Sequence, residues 1–98
     1  MDVKTKAEFD EAVSAGNALV DFWATWCGPC QMMGETIARE IAPKRPDIKI
    51  VKVNVDEAPE LAASFGIMSI PALMCYQNGV KKASFVGVTP VAEILSAF

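Results

Sequence analysis

Histidine is absent from this 98-residue chain, and cysteine occurs only at positions 27, 30 and 75. A closed zinc site takes four ligands, usually two Cys pairs or Cys with His, so three thiols without an imidazole leave it one ligand short. Lys/Arg runs are also missing and the net charge is −3, which argues against a nucleic-acid partner and reads as ordinary solubility. No apolar run approaches the ~20 residues of a membrane span. Met1-Asp2-Val3-Lys4-Thr5-Lys6 contains no apolar secretory segment. A cytoplasmic setting is therefore expected, where thiols stay reduced and a C-x-x-C is catalytic rather than structural. With 52% hydrophobic residues and no low-complexity segment, the chain reads as one globular domain, residues 1–98.

What is present is Trp26-Cys27-Gly28-Pro29-Cys30, set between an apolar strand-like run and a helix-like one. Two thiols at i and i+3 on a helix share a face and can cycle between dithiol and disulfide once the first turn tightens slightly. Pro29 suits a first helical turn, where its missing N–H had no partner. Unpaired N–H groups and the positive end of the helix dipole favour a thiolate at Cys27, the expected nucleophile. Cys30, one turn further in, is expected to attack the mixed disulfide that forms. Cys75, alone in a strand-like run, reads as a small buried hydrophobe.

The remaining pattern alternates helices and strands. Thr5-Lys6-Ala7-Glu8 fits a capping box before a first helix, which Gly16 ends. Asn17 to Ala24 is nearly all apolar, as for a strand buried on both faces. The second helix starts at the cysteines and runs to about Ala42, before Pro43 and Pro46. Ile48 to Val55 is β-branched, Ala58 to Phe65 gives a short helix, and Ala72–Gln77 meets Asn78-Gly79, a hairpin turn returning through Val80–Val86. Thr89-Pro90 is expected to cap a last helix. A first strand at Asp2–Lys4 is the weakest element. The sum is α/β: a mixed sheet with helices on both faces.

Asp21 interrupts its apolar strand. Trp26 beside the nucleophile reads as an exposed apolar lip, Trp23 as packing, and Met33 and Met68 as gap-fillers of core or groove.

Asp21-Phe22-Trp23-Ala24-Thr25-Trp26-Cys27-Gly28-Pro29-Cys30, Val53-Asn54-Val55-Asp56, Phe65-Gly66-Ile67, Ile70-Pro71, Asn78-Gly79 and Val86-Gly87 together resemble the thioredoxin family over essentially the whole chain. The resemblance implies a thioredoxin fold, with a central mixed five-stranded sheet of order 1-3-2-4-5 flanked by four helices. It implies a thiol–disulfide oxidoreductase that reduces protein disulfides and is recharged by a thioredoxin reductase. No bound cofactor is implied beyond the redox-active Cys27–Cys30 pair, and a monomer is expected. By the same resemblance Ile70-Pro71 is a cis bond packed against the dithiol, and Pro71 keeps metal from the thiols. Asp21 is implied to be buried behind them with Lys52 nearby, where burial raises its pKa so that it can take the proton of Cys30, and Trp26, Gly28, Pro29, Ser69, Ile70, Pro71 and Gly87 form the substrate surface.

Four positions depart from the commoner family pattern. Gln31 removes a positive charge often found after the second cysteine, which makes Cys27 less acidic. Glu35 replaces a kinking proline, so a straighter second helix is expected, with Gly34 weakening it by roughly 1 kcal/mol. Ser69 and Ala72 flank Ile70-Pro71 where glycine and threonine are frequent, and they bear on substrate range.

Overall fold

Local sequence rules account for most of the elements in the computed structural model, which describes residues 1–98. Helix α1 spans Lys6–Val13. Its N-cap Thr5 accepts from the Glu8 N–H while the Glu8 carboxylate accepts from the Thr5 N–H, a full capping box worth about 1 kcal/mol. Strand β1 is Asn17–Trp23 and helix α2 is Gly28–Thr36. Strand β2 is Ile48–Asn54, α3 is Pro59–Ser64, β3 is Ala72–Gln77, β4 is Val80–Val86 and α4 is Val91–Leu95. At the β3–β4 turn Asn78 and Gly79 both take positive φ, 50° and 83°, as a two-residue hairpin of this hand requires.

The sheet order is β2-β1-β3-β4. β1 pairs parallel with β2 and antiparallel with β3, which pairs antiparallel with β4. Five strands were expected and four form. The N-terminal one is reduced to a single parallel bridge, Asp2 to Lys52, with the Val3 N–H donating to the Lys52 carbonyl. That bridge lies beside β2, so the expected strand order holds. The segment is too short to extend the ladder before Thr5 starts α1.

Two further expectations need correction. The second helix does reach Ile41, but Ile37–Ile41 is a π-helical turn in which the Ala42 N–H bonds to the Ile37 carbonyl at 2.9 Å. Gly34 and Glu35 stay α-helical, and the departure from α geometry falls after them. Thr89 does not cap α4, whose N-cap is Pro90. The Thr89 hydroxyl donates instead to the Gly87 carbonyl at 3.0 Å.

The helices cover the sheet unevenly. On one face α1 and α3 bury Phe9, Val13, Leu61 and Ala62 against Val20, Phe22, Val51 and Val53. On the other, Met33, Ile37, Ile41 and Ile94 pack against Leu19, Leu73 and Cys75. Each fully buried large side chain contributes about 1.5–3 kcal/mol. Strand β3 is buried almost throughout, whereas β4 is mostly exposed, because neither helical layer extends fully over that edge.

Candidate active site

Strand β1 ends at Trp23, and the chain turns through Ala24, Thr25 and Trp26 into α2. Cys27 is the N-cap residue of that helix, with extended backbone at φ −92° and ψ 108°. Its Sγ accepts the Cys30 N–H at 3.2 Å, so the sulfur takes the place a capping oxygen usually fills. Pro29 occupies the first turn, where no donor is lost. Cys27 and Cys30 are joined as a disulfide with Cα atoms 5.2 Å apart, and both are buried in a small cluster with Ala24.

The loop before β3 supplies the opposite wall. Ile70-Pro71 is a cis peptide bond, as expected. The Ile70 carbonyl oxygen lies 3.9 Å from Cys27 Sγ. The Gly87 N–H donates to the Pro71 carbonyl at 2.8 Å, and Gly87 takes φ +89°, so the end of β4 is tied to the proline by a turn that suits glycine. Gly28, Pro29 and Ser69 are exposed around this centre. The Ser69 hydroxyl makes no hydrogen bond within the chain.

Trp26 is the exposed lip, 70% accessible. Its indole Nε1 donates to Asp56 Oδ2 at 2.8 Å, and Asn54 Oδ1 in turn accepts the Asp56 N–H at 2.9 Å. Trp26, Val55, Ala62, Ile67, Met68 and Ile70 line an open, mostly apolar hollow of about 210 Å³. Met68 is almost fully exposed, while Met33 is core, where its Sδ accepts the Thr89 N–H at 3.4 Å. Asp56 was not singled out from sequence. Asn54, two residues before it in an Asx-type turn, was the available signal.

Behind the thiols, Asp21 is 1% exposed and its Oδ1 has no hydrogen-bond partner. Burial pushes its pKa up to about 6, and the nearby Lys52 ammonium offsets part of that rise. Asp21 and Lys52 are register partners in the parallel β1–β2 pair. Lys52 Nζ lies 4.4 Å from the Trp23 ring centroid, a cation–π contact. Asp21, Lys52, Gly34, Ile37, Ala38, Ala42 and Ile50 line a cavity of about 190 Å³. Gly34 stands one helical turn beyond Cys30 on the same face, so this cavity adjoins the dithiol from below. Fold and register thus bring Asp21 and Lys52 to the same side of the sheet as α2.

No helix is long and apolar enough to cross a membrane. No three His, Cys, Asp or Glu side chains come close enough to hold a metal ion. The arrangement supplies two sulfurs that can exchange a disulfide, and a buried carboxyl that is half-protonated at about pH 6 and mostly ionised at neutral pH.

The chain is similar in sequence and fold to known proteins. A family model described as thioredoxin matches residues 1–98. Thioredoxin of Listeria monocytogenes is 45% identical over 91 residues, covering 92% of this chain and 87% of its own. Thioredoxin of Staphylococcus aureus is 43% identical over 94 residues, covering 93% and 90%. Among solved structures, oxidised mitochondrial thioredoxin 3 of Saccharomyces cerevisiae superposes with a TM-score of 0.89 at 28% identity, covering 99% of this chain and 92% of its own. Plasmodium falciparum thioredoxin gives 0.85 at 31% identity, covering 98% and 94%.

Proposed function

The chain belongs to the thioredoxin family and is a thiol–disulfide oxidoreductase acting on protein disulfides, and from that premise we propose how its residues divide the work. The reduced Cys27 thiolate attacks one sulfur of the substrate disulfide, forming a mixed disulfide and releasing the other substrate sulfur as a thiolate. Cys30 loses its proton to Asp21 and attacks Cys27 Sγ. The Cys27–Cys30 bond forms, the second substrate thiolate leaves, and two electrons have passed to the substrate. Lys52 acts as a positioning charge that keeps Asp21 partly ionised. Trp26, Gly28, Pro29, Ser69, Ile70, Pro71 and Gly87 form the surface on which an extended substrate segment lies. A thioredoxin reductase returns the two electrons, and the working form is a cytoplasmic monomer made of one domain.

The observation that carries this reading is the position of Cys27. It caps α2 through its sulfur, faces the Ile70 carbonyl, and is bonded to a more deeply placed Cys30. A developing thiolate at that N-cap gains from free N–H groups and from the helix dipole. The test is trapping. Incubated with a disulfide-containing protein, Cys30→Ser should accumulate a mixed disulfide through Cys27, and Cys27→Ser should not. Equal trapping by both variants, or by neither while the wild type turns over, overturns the assignment.

A further inference from the structure

Strand β4 changes register halfway along. Ala72 pairs with Val86 and Met74 with Ser84, but after Cys75–Ala83 the next pair is Tyr76–Lys81, which leaves Lys82 as an extra residue. Paired residues project to the same face of a sheet, and strict alternation from Val86 and Ser84 would bring Lys82, not Lys81, to the face shared with Met74 and Tyr76. The bulge reverses this and aims Lys81 there.

That face of β4 is where the helical layer stops. Val86 is 71% exposed and Met68 96%, while Ala72 and Met74 beside them are buried. The result is an open groove of about 290 Å³, with Met74 on its floor, Ile67 and Met68 along one wall, Ser84 and Val86 along the other, and Lys81 at the far end. Lys81 is the only charged residue lining it. The chain's ion pairs are Lys4–Glu57, Lys6–Asp10 and Arg45–Asp47, so Lys81 has no acidic partner of its own. Asp10, the carboxylate acting on Tyr76 from α1, is engaged by Lys6.

The groove is continuous with the dithiol site. Ile67 and Met68 wall both this groove and the mostly apolar hollow beside Trp26, and Val86 is followed by Gly87, which bonds to Pro71. We propose that this groove is an extension of the substrate surface that takes the segment of a disulfide substrate running away from its cysteine, selecting an apolar side chain over Met74 and then an acidic residue at Lys81. The proposal rests on the oxidoreductase reading above and names the substrates that site prefers. From Val86 to Lys81 the strand covers about 15 Å, and Cys27 lies beyond Val86 at the Ile70 carbonyl, so the acidic residue lies about six to eight positions from the substrate cysteine. Its carboxylate meets an unpaired ammonium at the rim, where a contact tunes rate and selectivity modestly.

The experiment uses the pre-reduced full chain and symmetrical disulfides of a peptide with a central cysteine and an adjacent leucine. Glu, Gln or Lys is placed about six to eight positions away on either flank, and the second-order rate of peptide thiol release is measured at low salt. On one flank Glu should react about three-fold faster than Gln, with Lys slower than both. The Glu/Gln ratio should fall to about one in Lys81→Gln, invert in Lys81→Glu, and shrink at high salt, while Lys44→Gln, an equal change of net charge far from the groove, keeps the wild-type ratio. A Glu preference on neither flank, or one unchanged in Lys81→Glu, overturns the proposal. Cystine serves as a short disulfide that cannot reach Lys81. If cystine and every peptide alike go unreduced, the oxidoreductase reading fails and the groove proposal falls with it.

Discussion

Asp21 and Lys52 stand opposite each other across the parallel β1–β2 pair, yet they form no ion pair, and the lysine ammonium sits over the Trp23 ring. The carboxylate thus has a cation close enough to moderate its burial, without a hydrogen bond that would hold it ionised. A cation in contact would push the carboxyl well below its usual range, as Arg45 does for Asp47, which titrates at about 2. Kept apart, Asp21 titrates near 6 and can both accept and return a proton close to neutral pH.

The first prediction concerns stability. A raised carboxyl pKa means that the native state holds a proton over the range from 3.8 to about 6, where the unfolded chain has released it. The stability associated with that proton is fully present below 3.8 and lost as pH rises through about 6. Above that, ionised Asp21 costs folding about 3 kcal/mol. Asp21→Asn should therefore stabilise the oxidised protein by about 2–3 kcal/mol at about pH 8 and by little at about pH 4. Urea unfolding at the two pH values reads the difference, and an equal effect at both would contradict the assigned burial cost.

Lys52→Met removes the ammonium while keeping an apolar stem against Trp23. Asp21 should then titrate above its present value near 6, because only the lysine works against desolvation there. Carbon-detected NMR of the Asp21 carboxyl follows this directly. In the same variant Cys30 attack should slow at about pH 7 if Asp21 accepts its proton, since more of the carboxyl is then already protonated.

Asp56 holds the Trp26 indole through one hydrogen bond across thirty residues of sequence. Asp56→Ala should leave the fold intact and lower kcat/KM on protein disulfides about five-fold, the equivalent of one hydrogen bond of about 1 kcal/mol. Asp56→Asn, which still offers an acceptor oxygen, should recover most of the rate. Trp26 fluorescence anisotropy should fall in the alanine variant only.

Cys75 is fully buried, and desolvation pushes its thiol up to about 11. Iodoacetamide added to the native oxidised protein should leave it unmodified at about pH 8, and one equivalent should react after unfolding in guanidinium. Mass spectrometry decides between zero and one adduct. Native labelling would place Cys75 among the reactive thiols.

Most secondary structure was legible in the sequence because its causes span only a few residues. Thr5 and Glu8 cap α1, Asn78-Gly79 dictates the hairpin twist, and β-branched residues from Ile48 fill a buried strand. The dithiol at a helix N-terminus is of the same kind, since Cys27, Pro29 and Cys30 set their own geometry within one turn. The edge segment at Asp2 and the cap at Thr89 were misread because each depends on distant partners, β2 for one and the Gly87 carbonyl for the other.

Sequence by itself thus determined the element order, the core pattern and the reacting sulfurs, all consequences of local propensity, periodicity and spacing. Tertiary structure alone decided that Asp21 is sealed beside Lys52 without touching it, that Asp56 reaches Trp26, that α2 widens at Ile37, and that a bulge turns Lys81 toward an open groove. Desolvation, register and long-range hydrogen bonds depend on which elements end up in contact, and no short window of residues contains that information.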